Sequence, residues 1–215
     1  MKTEKTIYLQ HTCAYTRVGI DFILKELSNN LCVNLISNTN YAYANNDYDL
    51  QRQHADFFIL GLQGNSNHGE VLNFVIKWLP MHCPQAKVII MAQTHSIGTL
   101  KDYLLGLGNV VAVLDSAIKT EELRESLRTI IINAQDIEPR KKQAMPLTHQ
   151  EIRVLENLLK GIPVLKVARA LRIDQKTVSR HKRAALNKLG ISSLHGLMKC
   201  GNNTHMMNGL LRGED

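Results

Sequence analysis

Short apolar runs alternate with longer segments of helical spacing over the first 134 residues. Five of these runs predict strands, at residues 7–9, 32–36, 57–60, 87–91 and 110–114. The third run is apolar on both faces of a strand, which is typical of the middle of a parallel sheet. Between the runs, apolar residues recur every three or four positions and predict helices. In the first and last of these helices they are Val18, Phe22, Ile23 and Leu27, and Leu123, Leu127, Ile130 and Ile131.

This alternation indicates the fold class of the N-terminal part. Residues 38–54 show no clear period and are interpreted as a weak helix or a loop. Further helices are predicted around residues 71–79, ending near Pro80 or Pro84, and around residues 100–105. Five strands alternating with five helices predict a flavodoxin-like α/β domain with a five-stranded parallel sheet at 1–134. Its functional loops would lie at the carboxyl ends of the strands.

The pattern changes after a segment that contains prolines. Residues 135–146 hold Pro139 and Pro146 and no helical stripe, which predicts a linker. Residues 147–200 show helical spacing only, so we predict an all-α domain of four helices there and a tail at 201–215. Thr148 and Glu151 form a capping box that predicts the start of the first helix, and Asp174 is the N-cap of the third. Gly161 and Gly190 predict the ends of these two helices.

Charge separates the two parts of the chain. The formal net charge is +7, from 26 lysines and arginines against 19 acidic residues. Residues 1–143 are balanced with 14 of each sign, whereas residues 144–200 hold 11 basic and 3 acidic side chains. The excess predicts a polyanion as the partner of the C-terminal domain alone. A basic surface in contact only with solvent is the alternative.

The remaining composition excludes several classes of protein. Hydrophobic residues make up 44% of the chain, as in ordinary globular domains, and no apolar run approaches the ~20 residues that span a bilayer. The four cysteines are scattered without a CxxC pair, which favours reduced thiols in the cytoplasm. No nucleophile–base pair or phosphate loop is recognisable. We therefore expect a cytoplasmic protein that is not an enzyme and has no metal site and no cofactor.

Basic side chains line one face of the predicted helix at 175–189. At about 100° per residue, four polar residues lie on one side and an apolar sector that includes Val178 and Leu189 lies opposite. Only three residues join this helix to the preceding one, which predicts a helix-turn-helix that places its second helix in the DNA major groove. Arginine can then contact guanine, and asparagine can contact adenine. The predicted DNA-binding residues are Lys176, Thr177, Ser179, Arg180, Lys182, Arg183 and Asn187.

This segment also resembles a known family of DNA-binding domains, the LuxR/FixJ type. The similarity runs without a gap through about 147–198. It implies a four-helix domain with its helix-turn-helix at roughly 164–183 and a dimerisation helix at 192–200. The similar positions include Thr148, Glu151, Gly161, Val167-Ala168, Leu171, Ile173, Lys176-Thr177-Val178-Ser179, His181-Lys182 and Lys188-Leu189-Gly190-Ile191.

The N-terminal domain looks like a response-regulator receiver, on the spacing of its elements and the segment Arg17-Val18-Gly19-Ile20. A phosphorylatable receiver needs carboxylates for Mg²⁺ after the first strand, an acceptor aspartate after the third, a hydroxyl after the fourth and a lysine after the fifth. The nearest carboxylate in the third strand, Asp56, is about 16 Å from the acceptor position, at the other end of the strand. The sequence therefore predicts no phosphoacceptor and no metal. The residues at these positions are His11 and Thr12, Gly61, Ala92 and Asp115.

The order of the elements resembles the RcsB group of regulators with its auxiliary members RcsA and BglJ. This resemblance implies binding to double-stranded DNA as a homodimer, or as a heterodimer with an RcsB-like response regulator, without phosphorylation of this chain. The residues leave three alternatives open: an interaction module that titrates a partner regulator with little DNA binding of its own, an ordinary phosphorelay regulator, and a small-molecule sensor.

Overall fold

The structure is a computed structural model that describes residues 4–27, 32–38, 55–62, 68–133 and 144–195. The predictions for most of 38–54, for most of the linker, for the greater part of the helix at 192–200 and for the tail at 201–215 lie outside the described residues.

One parallel sheet forms the centre of the N-terminal domain. Its strands follow the order β2-β1-β3-β4-β5, which is the order of flavodoxin-like doubly wound sheets. The predicted parallel sheet flanked by helices is confirmed. The strands are β1 (Glu4–Gln10), β2 (Cys32–Asn38), β3 (Phe57–Leu62), β4 (Lys87–Ala92) and β5 (Val110–Asp115).

Helices cover both faces of this sheet. The helix predicted at residues 71–79 begins earlier, contains a π-helical turn and ends at His82, two residues before Pro84. Pro80 follows the π turn almost directly, and the helix ends two residues after it. The elements are α1 (Ala14–Leu27), α2 (His68–Asn73), the π turn (Phe74–Trp78), α3 (Leu79–His82), α4 (Thr94–Leu105) and α5 (Thr120–Ile132).

Each face of the sheet has its own apolar cluster. One cluster joins β1 residues Ile7 and Leu9 to α1 and α5, with Leu24 and Leu127 fully buried. The other joins the opposite face of the strands, including Phe58, to α2 and α4. Phe57 and Phe58 point to different clusters, as alternation along a strand requires, and both are 1% exposed.

The first three helices of the C-terminal domain begin and end close to where the sequence predicts. Its helices are α6 (His149–Leu159), α7 (Val164–Leu171) and α8 (Gln175–Leu189). The capping box is present: Thr148 N–H donates to Glu151 Oε2 at 2.7 Å, and Glu151 N–H donates to Thr148 Oγ1 at 3.3 Å. Asp174 caps α8, and Gly190 ends it in the left-handed conformation.

The two domains pack against each other through α2 and α4 on one side and α6 and α8 on the other. Leu155 and Leu186 belong to the same apolar cluster as the α2–α4 face of the sheet. The hydroxyl of Tyr103 accepts a hydrogen bond from Leu147 N–H at 3.2 Å, and burial raises the pKa of Tyr103 to about 12. Lys160 Nζ lies 3.7 Å from Glu70 Oε1 at the edge of this contact.

Among the described residues, no helix has the length and apolar composition of a membrane-spanning segment.

Candidate nucleic-acid interface

The outer face of α8 carries the predicted basic stripe. Four of the seven predicted DNA-binding residues are exposed to solvent, and the other three are half-buried beside them. Val178, Ala185 and Leu189 lie on the opposite face and are fully buried. The helix therefore separates a buried apolar side from an outward basic side, in the arrangement that a groove-binding helix requires. The exposed residues are Lys176, Arg180, Arg183 and Asn187, and the half-buried residues are Thr177, Ser179 and Lys182.

Thr177 has a structural partner that the sequence pattern does not reveal. Its N–H donates to Asp174 Oδ1 at 2.7 Å, and its hydroxyl donates to Asp174 Oδ2 at 2.8 Å. These hydrogen bonds from the Thr177 amide and hydroxyl lower the pKa of Asp174. Thr177 thus fixes the start of α8, and its hydroxyl oxygen keeps acceptor capacity only.

Lys188 is the basic residue of α8 that turns inward. Its Nζ donates to Glu151 Oε2 at 2.8 Å and to the carbonyl of Pro146 at 3.2 Å. Burial acts to raise the pKa of Glu151, but the Lys188 ammonium and the Thr148 amide outweigh burial and hold this pKa below its usual range. Lys188 therefore ties α8 to α6 and to the end of the linker, and it is not part of the outward stripe.

The N-terminal domain contacts the inner side of α8. Ala185, Leu186 and Leu189 share the apolar cluster that extends into α2 and α4 of the receiver-like domain. Lys176, Arg180 and Arg183 remain exposed with both domains in place. The docking of the domains therefore leaves the basic stripe open to a partner.

His11 occupies the pocket at the carboxyl edge of the sheet. Its imidazole is 0% exposed and packs against Gly61, so that a Cβ at Gly61 would lie 2.3 Å from His11 Cδ2. Cys13 N–H donates to His11 Nδ1 at 3.1 Å, which leaves the proton of a neutral ring on Nε2. Nε2 is buried without a hydrogen-bond partner among the described residues. Burial lowers the pKa of His11, and the nearby Arg17 lowers it further.

The residues at this edge do not fit a Mg²⁺ ion. Arg17 donates to the carbonyls of His11 and Thr12, so a guanidinium cation already uses oxygens of this loop. Asp56 lies at the far end of β3, where its Oδ2 accepts from Thr6 N–H at 2.8 Å and its Oδ1 is 3.4 Å from Lys5 Nζ. Magnesium requires several oxygen ligands, whereas a buried imidazole fills this pocket. Within the described ranges, no three His, Cys, Asp or Glu side chains come together as a metal site.

The exposed face of α1 departs from the sequence prediction. Val18 and Phe22 recur at helical spacing with Ile23 and Leu27, which predicts a common buried face. The structure instead leaves Val18 68% and Phe22 59% exposed, and the neighbouring Tyr15 is 90% exposed. The buried face is formed by Ile20, Ile23 and Leu24. The helix is apolar on two sides, so periodicity alone does not identify the side that meets the sheet.

Comparison with known proteins places the two domains. Residues 145–200 match the family described as bacterial regulatory proteins, luxR family. RcsB from Salmonella enterica serovar Typhimurium, bound to promoter rprA in the presence of phosphomimetic BeF3-, has 18% identity and a TM-score of 0.53, with coverage of 91% of this chain and 96% of that chain. A structure of two RcsB dimers bound to two parallel DNAs has 19% identity and a TM-score of 0.53, over 91% and 97%. No curated protein sequence matches the chain. At this identity the likeness shows a receiver-like fold joined to a helix-turn-helix domain.

Proposed function

We propose that this protein is a sequence-specific DNA-binding transcription regulator that acts as a homodimer, or as a heterodimer with an RcsB-like response regulator, without aspartyl phosphorylation. The observation that carries the proposal is the outward basic stripe of α8, formed by Lys176, Arg180, Arg183 and Asn187, which stays exposed while the receiver-like domain packs on the inner side of the same helix.

The chemistry of the stripe supports recognition of DNA rather than of a generic anion. Arg180 and Arg183 can form bidentate contacts to guanine, and Asn187 can pair with adenine. No acidic residue occurs between Gln175 and Leu189, so the helix forgoes the i,i+4 ion pairs that stabilise ordinary surface helices. Phosphates of a duplex would provide the missing anions.

Independence from phosphorylation is supported by the pocket at the carboxyl edge of the sheet. A phosphoacceptor there would need a carboxylate where Gly61 stands, in space that the buried His11 ring already fills. It would also need a metal where Arg17 engages the loop carbonyls. Acetyl phosphate should therefore leave the protein unlabelled and its DNA affinity unchanged.

Dimerisation is supported by the exposed apolar face of α1. Tyr15, Val18 and Phe22 are spaced along one side of the helix, with the Asp21–Lys25 ion pair at 2.8 Å next to them. Exposed apolar surface with a polar border is typical of a protein–protein contact. We expect Phe22→Glu to remove self-association or association with an RcsB-like regulator in analytical ultracentrifugation. Met81→Glu, at another exposed apolar residue, should leave association unchanged.

Binding of operator DNA tests the proposed function directly. The duplex can be selected from a random-sequence pool with the wild-type protein. Arg180→Ala and Lys176→Ala should each lose about 1–3 kcal/mol of binding free energy in a gel-shift titration. Arg128→Ala removes an exposed arginine from α5 in the receiver-like domain and serves as the matched control. Full affinity in both α8 variants would contradict the assignment of this face.

A second candidate function is titration of a partner regulator, which the exposed face of α1 favours. In that case the isolated protein would have little DNA affinity of its own. A logarithmic plot of affinity against salt separates the two functions, because a DNA-binding protein releases counterions and shows a steep negative slope.

A further inference from the structure

Three helices of the C-terminal domain end in the same backbone motif, and one of the three ends departs in sequence. In each motif, the N–H of the residue after the turn donates to the backbone carbonyl five positions earlier. The three pairs are Ile162 to Asn157, Ile173 to Ala168 and Ile191 to Leu186, each at 3.0 Å. The preceding residue donates a second hydrogen bond, to the carbonyl three positions earlier, and adopts a positive φ. This is the Schellman motif, whose positive-φ position usually holds glycine.

The positive-φ position of the middle motif holds Arg172. The corresponding residues of the other two motifs are Gly161 and Gly190, with φ of 76° and 70°. Arg172 has φ 54° and ψ 44°, and it is the one non-glycine residue with positive φ among the described residues. L side chains rarely adopt this region of backbone conformation, and residues held in it cluster at functional sites.

The Arg172 side chain lies beside a second arginine on the surface next to the basic stripe. Arg172 and Arg169 are exposed and line an open groove of about 680 Å³ together with Gln175 and Thr177 at the start of α8. Lys166 is exposed one helical turn before Arg169. These three residues form a basic row along α7 and its turn, and the structure gives none of them an ion pair with a described residue.

The shape and charge of this groove fit an extended anion rather than an enclosed small molecule. Its carboxylate, Asp174, is occupied in capping α8 through both oxygens. The groove, with Arg169 and Arg172 on its wall, borders the N-terminal end of α8, which is the end that approaches base edges in a helix-turn-helix complex. If α8 lies in the major groove of DNA, the phosphodiester strand at the edge of that major groove would run past Arg169 and Arg172.

We propose that Arg172, together with Arg169, is a DNA-backbone site that holds one phosphodiester strand while the stripe of α8 reads the bases. This inference rests on the proposed function. Contacts to phosphates fix the register of a protein on the duplex and carry no sequence information. The arginine in a strained turn therefore contributes to affinity for every sequence and not to the choice among sequences.

The test uses the full chain, Arg172→Asn and Arg169→Gln, with Arg128→Gln as the charge-matched control. Asparagine is accepted at positive φ, so the turn keeps its backbone while it loses the charge. The probe is a random-sequence duplex of about 30 base pairs, measured by fluorescence anisotropy over a series of salt concentrations. Each variant should bind about three- to tenfold more weakly and lower the slope of log affinity against log salt by about 1.

A second readout separates backbone contacts from base contacts. Sequences selected from a random pool should be the same for Arg172→Asn as for the wild-type protein, whereas Arg180→Ala should relax the selection at one position. Wild-type affinity and slope in both variants would overturn the inference and leave the proposed function standing, and so would a changed selection in Arg172→Asn. A wild-type protein that binds no duplex would instead contradict the proposed function.

Discussion

The carboxyl edge of the sheet corresponds to the phosphorylation site of a receiver, and the outer face of α8 corresponds to the DNA-contacting face of a helix-turn-helix. In this protein the first surface is buried and the second is exposed to solvent. At the sheet edge, His11 is buried against Gly61 and seals the pocket. On α8, Arg180 and Arg183 extend into solvent. The carboxyl edge of the receiver-like domain thus holds a buried imidazole beside Gly61. The receiver-like domain instead packs on α6 and on the apolar side of α8, opposite the basic stripe.

The contact between His11 and Gly61 gives the largest expected effect on stability. Gly61→Ala introduces a Cβ at 2.3 Å from the ring of the fully buried His11 and should lower the free energy of unfolding by about 1–3 kcal/mol. Gly19→Ala is the matched control, because Gly19 is exposed on α1 with nothing within 4 Å, and it should be neutral or stabilising. Chemical denaturation measures both variants.

The same pocket allows a test of coupling. In His11→Ala/Gly61→Ala the smaller side chain makes room for the new Cβ, so the double variant should be more stable than the sum of the single losses predicts. Strictly additive losses would show that the contact between His11 and Gly61 does not limit this position.

The packing between the domains gives the next effect. A Cβ at Gly69 would lie 2.7 Å from Glu156 Cγ and 3.1 Å from its Cα, so the backbone of α6 itself blocks a side chain there. Gly69→Leu should push α2 from α6 and increase the radius of gyration in small-angle X-ray scattering. Gly108→Leu, at a glycine with nothing within 4 Å, should leave the radius unchanged. An unchanged radius in Gly69→Leu would argue against this docking in solution.

A smaller effect on stability is expected from pH, through the buried imidazole of His11. The pKa of His11 is lowered in the folded protein, mainly by burial, so the unfolded chain binds more protons just below its ordinary value of about 6.5. Stability contributed by neutral His11 is therefore complete above pH 6.5 and declines as pH falls towards the folded pKa.

His149 has a lowered pKa as well and adds a slope of the same sign, so a variant is needed to separate the two. His11→Phe keeps a ring but cannot titrate, and it should flatten the fall of the unfolding midpoint between about pH 6.5 and 5. A slope equal to that of the wild-type protein would assign the pH dependence to other groups.

Local signals predicted the helix-turn-helix well, because each depends on residues close in sequence. The capping box of Thr148 and Glu151 and the Asp174 cap require only three-residue spacing, and both are present. The packing of His11 against Gly61 could not be predicted, since the two residues meet only through the register of β1 on β3. The inward turn of Lys188 likewise depends on where α6 presents Glu151.

The smallest expected effect concerns the start of α8. Asp174→Asn keeps an oxygen that caps the helix but removes a negative charge from the N-terminal end, so the free energy of unfolding should fall only slightly. The same change removes the carboxylate from the groove beside Arg172, and affinity for duplex DNA should rise by a small factor. Anisotropy titrations at two salt concentrations measure this gain, which should shrink at the higher one because salt screens exposed charges. Weaker binding by Asp174→Asn would indicate that the carboxylate itself contacts DNA, for example by accepting from a cytosine amino group.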